Sequence, residues 1–192
     1  MRLFVALELD EGTRLAIAKL QKATAEALLR SGPSSPKWVR PDHMHLTLVF
    51  LGEIAETRVA ELTLAIGADI PVPPFVVTFG GLGVFPPRGA PRVLWLGVRH
   101  GADEVVAVER EVTARMRRLG LPLEPRAFHP HLTLARWRAS RPSDTRRALA
   151  TDRGGDAARV AVDHATLFQS RLSPTGPTYT SLVRATLTTC RS

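Results

Sequence analysis

The hexapeptide HMHLTL at residues 43–48 returns as HPHLTL at 129–134, an offset of 86 residues between His45 and His131. Such a repeat constrains the chain strongly. Each copy reads as a strand whose successive side chains point to opposite faces. Strict alternation puts His45, Thr47 and Val49 on one face and Leu46, Leu48 and Phe50 on the other. In the second copy His131, Thr133 and Ala135 share a face, opposite Leu132 and Leu134. Each strand thus offers a leucine face for a core and a face bearing one imidazole and one hydroxyl, about 6–7 Å apart along the strand.

The flanking segments repeat as well. Residues 2–9 read as an apolar strand, and 11–31 as a helix with Ala16, Leu20, Ala23 and Ala27 on one stripe, widened by Ile17 and Leu28. Gly32, Pro33 and Pro36 break it before the first histidine segment. Later, 91–100 reads as a strand and 102–120 as an amphipathic helix, with Asp103 and Glu104 at its start and Arg115, Arg117 and Arg118 at its end, as the helix dipole favours. The second histidine segment follows. Strand, long helix, connector and HLTL therefore occur twice, which implies a duplicated α+β architecture. Between and after these units, 59–70 reads as a helix, 72–87 as a strand running into a Gly/Pro-rich loop, 141–156 as polar with a short helix, and 160–172 and 178–187 as one strand each.

Two such faces meeting across a cleft would set two imidazoles and two hydroxyls around one point. Histidine titrates near neutrality, so one ring can be neutral while the other is charged. A neutral imidazole can take a proton from water and an imidazolium can give one to a leaving oxygen. Threonine hydroxyls can donate hydrogen bonds to non-bridging phosphate oxygens. That apparatus suits opening a reactive phosphodiester such as a strained 2′,3′-cyclic phosphate on RNA. The outer histidines, His43 and His129, make H-x-H pairs of a kind that can ligate metal. No cysteine lies near them, and each sits beside a proline (Pro41, Pro130) at a strand entry, so they read as supporting residues and no metal is expected.

The chain has 192 residues, 44% hydrophobic and 23% charged, enough for one domain or two small lobes sharing a core. The formal net charge is +8, nearly all from arginine, since lysine occurs only at Lys19, Lys22 and Lys37. A balance this basic favours polyanions such as nucleic acid, although an arginine-rich composition alone would produce it. No stretch is long enough to span a bilayer, and the N-terminal apolar run is interrupted by Glu8 and Asp10, unlike a signal peptide. Cys190 is the only cysteine, which leaves no intrachain disulfide and no thiolate cluster. These features favour the cytoplasm.

With the motifs in view, the sequence resembles the 2H phosphoesterase superfamily, defined by two His-x-Thr-x motifs. It looks most like the bacterial and archaeal RNA 2′,3′-cyclic phosphodiesterases, also called 2′-5′ RNA ligases. The matching pieces are RLFVALEL, KWVRPDHMHLTLVFLGE, GLGVFPPRGAPRVLWLGV, FHPHLTLAR and SRLSPTGPTYTSL; residues 139–160 match nothing of use. The resemblance implies a bilobal α+β fold over residues 1–192, a single domain of two intertwined lobes, each with an antiparallel sheet and helices outside, and an active-site cleft between them. It implies hydrolysis of RNA 2′,3′-cyclic phosphate ends, or of cyclic nucleotides, to 2′-phosphomonoesters. His45 would be the proton donor, His131 the proton acceptor, and Thr47, Thr133 and Arg136 the phosphate ligands. It implies no cofactor, no metal, no membrane and a monomer. The alternatives are an RNA-end binding protein, or 2′-5′ ligase or 2′-5′ phosphodiesterase activity in the same cleft.

Arg136 raises a geometric problem. Five residues past His131, strict alternation sends it to the opposite face, so it must curl back at the strand end or the strand must carry a bulge. GGLGV at 80–84 lacks the lysine and hydroxyl of a phosphate loop and reads as a turn. Trp38, Phe128, Trp137 and Tyr179 could stack on a base but suit packing better; Phe128, beside the second motif, is the best stacking candidate. The Arg117–Arg118 pair reads as solvating a helix end.

Overall fold

The computed structural model describes residues 1–33, 36–123, 127–173 and 176–189; Cys190 lies outside them. The strands are β1 (Arg2–Leu7), β2 (Lys37–Trp38), β3 (Leu46–Glu53), β4 (Phe75–Phe85), β5 (Val93–His100), β6 (His131–Arg136), β7 (Ala158–Val162), β8 (His164–Ser173) and β9 (Gly176–Thr186). The helices are α1 (Glu11–Arg30), α2 (Glu56–Gly67), α3 (Ala102–Arg118) and α4 (Pro142–Leu149), and a single 3-10 turn spans Pro41–His43.

Among the described residues all nine strands join one curled sheet in the order β7-β4-β5-β6-β3-β1-β8-β9, with β2 on the edge of β6. The described pairings between strands of this sheet are antiparallel. The two motif strands, β3 and β6, lie side by side at its centre and touch at one register pair, Leu46 opposite Leu132. On either side stand four strands, β3-β1-β8-β9 and β6-β5-β4-β7, so the sheet is two halves hinged at one leucine pair.

The duplicated unit explains how the halves hold together. Strand β1 lies beside β3, and α1 between them in sequence packs on β7 and the 3-10 turn; β5 lies beside β6, and α3 between them packs on β3. Each crossover helix therefore leans on the half opposite its own strands. Fully buried Leu3, Leu7, Leu46, Leu94, Leu96 and Leu132 form the core under the sheet, each such side chain contributing about 1.5–3 kcal/mol of transfer free energy. Helix α1 is started by Asp10, whose carboxylate accepts from the Thr13 amide at 2.7 Å.

Several expectations are corrected. The buried stripe of α1 is Thr13, Ile17, Gln21, Thr24 and Leu28, one position round from the alanine stripe, because it covers sheet carbonyls as well as apolar side chains. The GGLGV segment is strand interior within β4, not a turn. The segment 160–172 is not one strand: the chain breaks at Asp163, with β7 on β4 and β8 on β1, in opposite halves. Arg115 is buried, and its guanidinium donates to the carbonyls of Ala65, Ile66, Ala68 and Asp69, closing the C-terminal end of α2.

Candidate active site

The Leu46–Leu132 pair fixes the geometry of the two motifs. Extending that antiparallel register by one residue each way sets His45 across from Thr133, and Thr47 across from His131. All four side chains lie on the face opposite the leucines, half-buried, while Leu46, Leu48, Leu132 and Leu134 are buried beneath. The motifs thus form one quartet across a strand boundary.

Each inner histidine is held through the backbone of the outer one. His131 Nδ1 lies 2.7 Å from the His129 carbonyl, and a ring nitrogen of His45 bonds the His43 carbonyl. A carbonyl can only accept, so Nδ1 of His131 carries the proton. His43 and His129 therefore anchor the inner rings through their main-chain carbonyls. Among the described residues no group of three or more His, Cys, Asp or Glu side chains could hold a metal ion.

Aromatic rings surround both histidines. His45 stacks on Phe4 at 4.8 Å and meets Tyr179 edge-on at 5.2 Å, with Phe168 6.3 Å away. His131 meets Phe85 edge-on at 5.0 Å and Trp95 at 6.1 Å. The His129 ring completes the second wall, 4.9 Å from Trp95. Trp95 lies flat over Gly83 of β4, where a Cβ would run into its six-membered ring. That contact requires the glycine at 83, whereas Gly81 takes a left-handed φ of +77°.

Both motif strands carry the same irregularity. In β3, Val5 pairs with Val49 but Ala6 with Thr47; in β6, Leu94 pairs with Ala135 but Trp95 with Thr133. Each skips one residue, Leu48 or Leu134, as a β-bulge does. The bulge resets the alternation. Val49 and Ala135, expected beside the histidines, turn into the core. Phe50, expected on the core face, and Arg136, which needed a curl or a bulge to leave it, are both exposed on the cleft side. The Leu134 carbonyl at the bulge accepts from the Val39 amide at 2.9 Å and from Gln21 Nε2 of α1 at 2.9 Å.

Electrostatics distinguish the first histidine. Burial pushes His45 down to about 4, and the positive charges of His43 and Arg136 act in the same direction against its bond to the His43 carbonyl. Burial pushes the Tyr179 phenol up, while Arg136 and Arg2 pull it back. Arg136 therefore projects its charge onto both members of the His45 wall.

Of the aromatic candidates from the sequence, Tyr179 stands in the His45 wall, and Trp137 is buried in the core. Trp38 is half-buried against that core. Phe128 turns toward α3, where it lines a cavity of about 530 Å³ with Arg110, Arg117 and Arg118. Sequence reasoning missed Phe4, Phe85, Trp95 and Phe168. Nothing in the continuous apolar run of β1 marks which face looks into the cleft.

The model of the 2′-5′ RNA ligase superfamily matches residues 5–173. The chain belongs to that superfamily. A curated relative from Archaeoglobus fulgidus, named RNA 2′,3′-cyclic phosphodiesterase, is 33% identical over 95% of this chain and 98% of its own. Another of that name from Thermotoga maritima is 32% identical over 93% and 91%. Among solved structures, TT0787 of Thermus thermophilus superposes over 100% of both chains with a TM-score of 0.78 at 29% identity. E. coli LigT complexed with 3′-AMP gives a TM-score of 0.69 at 27% identity, covering 97% of this chain and 98% of that one. As a superfamily member the protein is a 2H phosphoesterase, a hydrolase. Its fold is the α+β fold expected from the repeat. None of its described helices is long and apolar enough to cross a membrane.

Proposed function

We propose that this phosphoesterase hydrolyses RNA 2′,3′-cyclic phosphodiester ends to 2′-phosphomonoesters, without a metal, using His45 and His131 as acid and base. The observation that carries the reading is the quartet at the Leu46–Leu132 junction, where two carbonyl-anchored imidazoles and two threonines share one face. The names of the curated relatives supply the substrate class.

In this reading Thr47, Thr133 and Arg136 hold the non-bridging phosphate oxygens. His131 Nε2 takes a proton from water as the water oxygen bonds to phosphorus. The bond from phosphorus to O3′ breaks, and His45 delivers its proton to O3′. One proton enters His131 and one leaves His45, so the pair is restored by a transfer through solvent.

A donor must be protonated, whereas in the free protein His45 is held near 4 by burial. The substrate itself offsets this. A phosphodiester carries one negative charge, and a unit charge at 4 Å is worth about 4 kcal/mol at an effective dielectric near 20. That corresponds to roughly three pKa units, enough to bring His45 back toward neutrality. His45 thus takes up its proton as the phosphate binds.

Replacing water by a ribose 5′-hydroxyl would run the same cleft toward ligation, as the superfamily's description includes. Incubation with RNA ending in a 2′,3′-cyclic phosphate, with excess EDTA, tests the reading. A 2′-phosphate product supports it; a 3′-phosphate, or no turnover, contradicts it.

A further inference from the structure

The two bulges make positions 50 and 136 equivalent by the same 86-residue offset that relates the histidines. One is occupied by a cation and the other by an aromatic ring. We infer that Phe50 is the platform for the terminal nucleobase of the substrate, setting the half of the cleft over which the nucleoside lies. This rests on the proposed hydrolysis of cyclic phosphate ends, with His45 as the donor to the ribose oxygen.

Phe50 is 57% exposed, and it is the one aromatic among the large apolar side chains left exposed in the described residues. Its direction is set by Phe4, whose ring lies 6.1 Å from that of Phe50 and 4.8 Å from that of His45. Phe4 itself is 3% exposed, so it has no free face for a ligand. Phe168 and Tyr179 are engaged with Phe4 at 5.3 and 5.2 Å. Phe50 ends this chain of rings with one side open to solvent, on the cleft side of β3.

The substrate is asymmetric in the matching way. A 2′,3′-cyclic phosphate end has a nucleoside on one side of phosphorus and only water on the other. The water side needs a base, which His131 supplies, and the phosphate between needs a charge, which Arg136 supplies. The ribose side needs a donor and, beyond the ribose, a surface for a planar base. His45, Phe4 and Phe50 occur in that order. A stack on phenylalanine tolerates any base, because every base has a π-face.

The test compares nucleoside 2′,3′-cyclic phosphates with 1-O-methylribose 2′,3′-cyclic phosphate, which has no base. The readout is the ratio of kcat/KM for the nucleotide to that for the abasic analogue. For F50A and F50L this ratio falls roughly 5- to 100-fold, the range that base–aromatic stacking supports. F50W keeps it or raises it. Thermal unfolding verifies that each variant folds. If the wild-type ratio is well above one and F50A leaves it unchanged, Phe50 is not the platform. If the wild type opens neither substrate, the underlying hydrolytic reading fails and this inference with it.

Discussion

Gln21 of α1 donates from Nε2 to the carbonyl of Leu134 at 2.9 Å, across 113 residues of sequence. Leu134 is the residue that β6 skips at its bulge, and the bulge aims Arg136 into the cleft. A helix side chain buried under the sheet thereby pins the strand irregularity that shapes the site.

Replacing Gln21 with leucine should leave the Leu134 carbonyl with the Val39 amide alone. Loss of a buried hydrogen bond costs about 1–3 kcal/mol. In the site, Q21L should raise KM and weaken inhibition by inorganic phosphate, more than it lowers kcat. In R136A the same substitution should have little further effect on phosphate inhibition, because the two residues act through one contact. Additive effects in the double variant would separate Gln21 from Arg136.

His45 should titrate near 4 in the free protein, because burial disfavours its charged form. A histidine held neutral when folded but free to charge when unfolded favours folding at high pH. The unfolded chain takes up a proton as pH falls through about 6.5, and the folded one only near 4. Unfolding free energy should therefore decline across that window, and H45Q should decline less steeply. Proton NMR of the His45 ring should show its pKa rising on addition of phosphate, and rising in R136A, where one of the charges that depress it is gone. A value indifferent to phosphate would remove the basis for substrate-driven protonation.

Turnover of a saturated enzyme should give a bell-shaped pH profile, since one imidazole must be charged and the other neutral. A flat profile between about pH 5 and 9, with chemistry rate-limiting, would count against the acid–base pair.

A methyl group at position 83 would enter the ring of Trp95. G83A should lower stability by about 1–3 kcal/mol, as overpacked sites do. It should also shift tryptophan emission and reduce activity, because Trp95 and Phe85 wall His131. Unchanged emission and turnover would mean that the wall adapts without consequence.

Much of this arrangement was legible in the sequence, and the misses have physical causes. The repeat identified the motif strands, the duplicated unit and the leucine faces. A bulge in β6 entered only as one of two ways to bring Arg136 round, and neither bulge is marked by a glycine: Leu48 and Leu134 are ordinary strand residues, and the Leu134 carbonyl is satisfied by a group as distant as Gln21. Strict alternation therefore misplaced Val49, Phe50 and Ala135 and left Arg136 in difficulty. The break at Asp163 was hidden because β7 and β8 are both apolar and differ only in their partners. Phe128 drew notice by its place in the chain, whereas the rings that touch the histidines, Tyr179 apart, come from β1, β4, β5 and β8 and carry no local mark.

The central claim is that His45 and His131 together perform the hydrolysis. Its most direct measurement is single-turnover cleavage of RNA with a 2′,3′-cyclic end by the wild type, H45A and H131A in excess EDTA. The wild type should cleave rapidly, and each folded variant should lose roughly 10²- to 10⁴-fold. Near-wild-type cleavage by either variant would contradict it.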